Sequence, residues 1–224
     1  MLALVVAAAV GVWRWQHDRH VALENRLAAA ASELAGRPVH VSCQGFLAEL
    51  VDVSAESGDV AFPDGRPADT AHLKRGTCGA LAAFGPASAH RDLDCLLTVD
   101  WRRWTLEAGF DALCTRRAQR AADAITTLAH ESMHLRGWID EATAQCYAIQ
   151  EDPWTVVRLG GTRAEGAAVA DLVLAEQGGM PSEYQSGDCR PGGRLDLHPD
   201  TPAFPAEASA ALLPAGFFGP ALQR

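Results

Sequence analysis

Hydrophobic and polar positions follow a helical period over much of this chain. Between residues 115 and 137, Ala118, Ala121, Ala122, Ile125, Leu128, Ala129, Ser132 and Met133 recur at i, i+3, i+4 spacing. The stretch has no proline and no glycine before Gly137, which predicts a helix capped near that glycine. A second predicted helix starts at Asp140 and runs about three turns to Gln150, with two acids where the helix dipole favours negative charge. Residues 14–36, 69–84 and 163–177 also read as helices. Short strands are expected over 38–43 and 59–62, followed by a turn at Pro63, Asp64 and Gly65. From Gly178 onward glycine and proline interrupt any period, so an irregular segment is expected there. The fold class that follows is α+β, mainly helical.

The start of the chain has a different character. Leu2 to Trp13 carries no charge, and the first charge is Arg14. Twelve helical residues span about 18 Å, short of the roughly 30 Å of a hydrocarbon core. That is the length of the apolar part of a signal peptide. Trp13 and Trp15 suit a membrane–water interface, and no small-residue cleavage site follows the apolar run. Residues 1–36 are therefore expected to be an uncleaved signal-anchor or transmembrane helix with a stalk, and 37–224 an extracytoplasmic domain. The six cysteines agree with export. Cys43, Cys78, Cys95, Cys114, Cys146 and Cys189 form no C-x-x-C pair, so three disulfides are expected rather than a zinc ribbon. Cys146–Cys189 is the preferred pairing, tying the second helix to the C-terminal segment. The alternative is a set of buried reduced thiols.

Charge and missing motifs narrow the function. The net charge of −9 disfavours nucleic acid as a partner, because phosphates demand a basic surface. No G-x-G-x-x-G, G-K-[ST] or G-x-S-x-G pattern is present, which leaves no sequence case for a nucleotide loop or a serine nucleophile elbow.

The chemistry concentrates at the end of the first predicted helix, in His130-Glu131-Ser132-Met133-His134. On a helix, residues four apart share one face. His130 and His134 can thus offer two imidazole nitrogens to one zinc ion, while Glu131 lies where a general base for a zinc-activated water is needed. Catalytic zinc needs a third protein ligand and an open position. A short connection makes the next helix antiparallel, so Glu141 at its start can face the histidines, with Ala144 and Ala148 small enough to let the helices approach.

His130-Glu131-x-x-His134 followed by Glu141-x-x-Ala144-x-x-Tyr147-Ala148 resembles the gluzincin metallopeptidases over residues 118–150. The resemblance implies a zincin-like domain, Zn²⁺ held by His130, His134 and Glu141, Glu131 as base and later acid, and a peptide or protein substrate. Asp140 is the rival third ligand. With Gly137 it completes H-E-x-x-H-x-x-G-x-x-D, which resembles the snapalysin branch of the metzincins. Met180 is a poor match to the methionine turn of that group. Tyr184 and His198 are candidates to stabilise an oxyanion. His17, His20, His40, His72 and His90 have no ligand-like spacing. The function expected is a membrane-anchored zinc metallopeptidase. The other readings are a non-enzymatic, disulfide-stabilised envelope protein with a structural or vestigial zinc site, and a binding module without metal.

Overall fold

The computed structural model describes residues 2–45, 57–85, 93–98, 116–201 and 204, and the side chains from Val10 on. Helix α1 (Leu2–Ala35) leads into strand β1 (His40–Cys43). Strand β2 (Gly58–Val60), a 3₁₀ turn at Pro63–Gly65, strand β3 (Thr70–Leu73) and helix α2 (Arg75–Ala83) follow. The longer helices come last: α3 (Arg116–Arg136), α4 (Glu141–Arg158) and α5 (Arg163–Glu176). Single 3₁₀ turns lie at Asp94–Thr98, Gln177–Gly179 and Ser182–Tyr184. The protein is a mainly helical α+β fold with a small sheet. Cys114 and His90 lie outside the described residues.

The sheet has the order β1-β3-β2. β1 runs parallel to β3, pairing Val41 with Ala71, and β2 runs antiparallel, pairing Gly58 with Leu73. This sheet corrects the helix expected over 69–84, which divides at Lys74 into β3 and α2. Thr70 to Leu73 alternates, with Ala71 and Leu73 fully buried and His72 exposed. Neither alanine nor leucine favours strand, so the pairing on both sides of β3 overrides local propensity. The disulfide Cys43–Cys78 then joins the end of β1 to α2.

Helix α1 has two halves. Val10, Val12, Trp13 and Trp15 are exposed, whereas Leu27, Ala30, Ala31, Leu34 and Ala35 are buried at i, i+3, i+4 spacing. The stalk expected over 14–36 thus gives way from Leu23 onward to a core helix packed on α3 and β1. Arg26 Nη2 donates to the Leu81 and Phe84 carbonyls at 2.6 and 3.2 Å, satisfying the end of α2. Arg136 Nη1 donates to Leu34 O at 2.8 Å. The expected membrane-spanning helix is not found: among the described residues no helix is long and apolar enough to cross a membrane.

Helices α3 and α4 pack antiparallel through small residues. Ala129, Ala144 and Ala148 are all fully buried between Met133, Tyr147 and Leu197. Helix α4 outruns its expected end at Gln150 and passes through Pro153. An interior proline costs about 3 kcal/mol in a helix. Burial of Thr155 and Val156 beyond it, both fully enclosed, offsets that cost. Helix α5 crosses closely at this point: a Cβ on Gly166 would lie 2.7 Å from Pro153 Cα, so only glycine fits. Thr162 and Glu165 form a capping box that fixes where α5 begins.

Candidate metal centre

Helix α3 ends in a glycine turn. Gly137 adopts φ 115°, a conformation that favours glycine, and its N–H donates to His134 O at 2.8 Å. The chain reverses over Trp138 and Ile139, and Asp140 caps α4: its Oδ2 accepts from Thr143 N at 2.8 Å and from Thr143 Oγ1 at 2.6 Å. That geometry commits the Asp140 carboxylate to its own helix. The next residue, Glu141, turns towards α3.

His130, His134 and Glu141 converge. His130 Nε2 lies 2.9 Å from His134 Nε2 and 3.0 Å from Glu141 Oε2, and His134 Nε2 lies 3.3 Å from the same oxygen. The other ring nitrogens are already engaged. His134 Nδ1 is 2.6 Å from the Trp138 carbonyl, which can only accept, so Nδ1 carries the proton. His130 Nδ1 is 3.0 Å from Gln145 Oε1, with Gln145 Nε2 directed at Met180 Sδ. In neutral imidazoles both Nε2 atoms therefore hold lone pairs that face each other and an anionic oxygen. Three electron-rich atoms at these separations repel unless a cation sits among them. The edge of a tetrahedron with ligand bonds of about 2.0–2.1 Å is about 3.3–3.4 Å, so the donor set fits a zinc-sized ion with little adjustment.

Electrostatics favour the same protonation states. Burial, then the neighbouring His130, pulls the His134 pKa down and keeps the ring neutral, against the opposing pull of Glu141. Glu141 is held below the ordinary carboxylate range, first by the close approach of the His130 ring nitrogen to its Oε2, although partial burial opposes this. A neutral imidazole and an ionised carboxylate are the forms that bind metal.

Glu131 stands beside the cluster, 4% exposed. Strand β2 packs directly on it: a Cβ on Gly58 would lie 2.9 Å from both Glu131 Cγ and Oε1. Both face a cleft of about 610 Å³ lined also by His130, Gln145, Met180 and Tyr184. The Tyr184 ring centroid lies 5.6 Å from that of His130, and Phe62 meets His134 edge-on at 5.7 Å. Tyr184, an oxyanion candidate from sequence, is thus at the site. His198 is not among the residues lining the cleft; its backbone N–H bonds to Asp196 Oδ1.

Sequence reasoning missed Gln145, the Trp138 carbonyl and Gly58. Gln145 had a legible signal, standing one helical turn after Glu141 on the same face. Gly58 had none, because it reaches Glu131 only through the sheet. The disulfide Cys146–Cys189 forms as expected and anchors the segment carrying Met180 and Tyr184 onto α4. Cys95 is disulfide-bonded too, and no described cysteine is free. No protein-family model, curated protein or solved structure matches this chain.

Proposed function

We propose that the protein is a zincin-like zinc metallopeptidase of the cell envelope. The observation that carries this reading is the meeting of three lone-pair donors, His130 Nε2, His134 Nε2 and Glu141 Oε2, beside the buried Glu131. His130, His134 and Glu141 would hold the ion, with Gln145 and the Trp138 carbonyl fixing the two imidazoles. When bound, zinc supplies Lewis acidity, polarising a carbonyl and lowering the pKa of water towards neutrality. Glu131 takes the proton from the attacking water and passes it to the leaving amine. Tyr184, beside His130, is placed to donate a hydrogen bond to the developing oxyanion. The edge strand β2 lies along the cleft at Gly58, where an extended substrate backbone can be received.

An enzyme is favoured over a structural zinc protein by coordination. Among the described residues only three potential ligands group together, and the cluster borders a cleft. A structural site closes with four protein ligands, whereas a catalytic one keeps a position open. Localisation at the envelope is supported by the disulfides and by the apolar start of α1, where Val10, Val12, Trp13 and Trp15 are exposed and can seat against a membrane.

The test is metal analysis of the full chain with its disulfides intact, coupled to hydrolysis of a mixed peptide library. We expect one zinc per chain and cleavage that a chelator stops and added zinc restores. Protein that binds zinc stoichiometrically and cleaves no peptide would favour the structural-site reading; protein that binds none would end the metal assignment.

A further inference from the structure

The cleft changes character away from the histidines. Asp123 lies on α3 seven residues before His130, about 10.5 Å along the helix axis, with Thr126 and Thr127 between them on the same wall. Glu176, the last residue of α5, lines the cleft near enough to Asp123 to feel its charge, and Glu183 also lines the cleft. Among the described residues no lysine or arginine lines the cleft. Asp123 and Glu176 form no ion pair or side-chain hydrogen bond among the described residues. They do feel each other: burial, then the Asp123 charge, pushes Glu176 up to about 7, and burial pushes Asp123 up to about 6. Behind this wall Asp152 is fully buried. Its Oδ2 accepts from the cleft-lining Thr126 Oγ1 at 2.7 Å, and its Oδ1 has no hydrogen-bond partner among the described residues. Acidic groups thus crowd this end of the cleft from α3 and α5, with Asp152 of α4 behind them, and no ion pair neutralises Asp123 or Glu176 among the described residues.

Building on the peptidase reading, we propose that this end of the cleft receives a cationic group of the substrate, an ammonium or a guanidinium, between Asp123 and Glu176. A cation there relieves the repulsion between the two carboxylates and restores the solvation that crowding removes. The distance to His130 sets where the charge falls. About 10 Å is the reach of a lysine or arginine side chain adjoining the scissile bond, or of two to three residues of extended peptide at about 3.4 Å each. Either a basic side chain or a free amino terminus can supply the charge.

The experiment reads binding rather than turnover. Four hexa-alanine peptides carry a neutral coumarin at the carboxyl end, with a central lysine or norleucine and a free or acetylated amino terminus. Their affinities are measured by fluorescence anisotropy on the full-length Glu131→Gln protein. We expect the lysine peptide, the free-amine peptide, or both to bind at least about tenfold tighter than the neutral one, the scale of a close charge pair. Which pair differs identifies the source of the charge. Adding Asp123→Asn and Glu176→Gln should bring the peptides within about twofold of each other, with zinc content unchanged and the thermal midpoint no lower. If the double substitution unfolds the protein, Glu176→Gln alone should still shrink the preference. Equal binding of all four peptides, no binding of any, or a preference that survives the substitutions overturns the proposal. The peptidase reading fails separately: a charge preference in a wild-type protein that cleaves nothing leaves the cation site standing.

Discussion

His134 and Trp138 are joined by a bond that decides the chemistry of the site. The imidazole Nδ1–H donates to the Trp138 carbonyl at 2.6 Å, which leaves Nε2 as the lone-pair atom facing His130 and Glu141. The bond exists because Gly137 turns the chain at φ 115° and brings the next carbonyl back over the last helical turn. Gly137→Ala should therefore strain the turn by about 1 kcal/mol or more and lower zinc affinity, even though residue 137 touches no ligand atom. Equilibrium zinc titration of the variant checks this; unchanged affinity would show that the turn does not set the ring.

Glu131→Gln should retain zinc and lose kcat by several orders of magnitude, if Glu131 carries the proton as proposed and is not a ligand. Loss of the metal, or full activity in a metal-loaded variant, would count against that role.

Glu141 and Asp140 should separate cleanly. Glu141→Ala removes one of three converging donors and should weaken zinc severely. Asp140→Ala removes the cap of α4 and should cost about 1 kcal/mol of stability with zinc affinity little changed. Thermal unfolding together with metal titration of both variants distinguishes them, and the reverse pattern would move the ligand role to Asp140.

Gln145→Ala should lower zinc affinity by about 10–100-fold, because His130 loses the acceptor that fixes its tautomer and orientation. A glutamate at that position, which also accepts, should recover most of the affinity. Failure of the glutamate variant to exceed the alanine one would indicate that Gln145 matters only for packing.

Buried acids give stability a defined pH trend. Burial holds Asp152 well above the usual carboxylate range, so the folded state keeps a proton that the unfolded chain releases above about pH 4. Folded Asp152 binds more protons than unfolded Asp152, and its contribution to stability falls as pH rises through that interval. Asp152→Asn cannot ionise. Its stability relative to wild type should rise from pH 4 to pH 8, with a slope on the order of 1 kcal/mol per pH unit or less. Denaturant unfolding of both proteins across that range checks the trend; a difference independent of pH would contradict it.

The sequence by itself determined the helices that carry the site and the residues most able to bind metal. His130, Glu131 and His134 were legible because a helix fixes the relation between residues three and four apart, and the small residues at 129, 144 and 148 announced a close crossing of α3 and α4. Two things were decided only by tertiary structure. Thr70 to Leu73 became the central strand because β1 and β2 pair with it from both sides, a non-local gain that no local preference records. The helix face favoured Glu141 over Asp140 as the residue turned to the histidines, but the sequence left both open. Adjacent residues at a helix start differ by about 100° in direction, so which one caps the helix and which one faces α3 depends on how the turn at Gly137 docks one helix against the other.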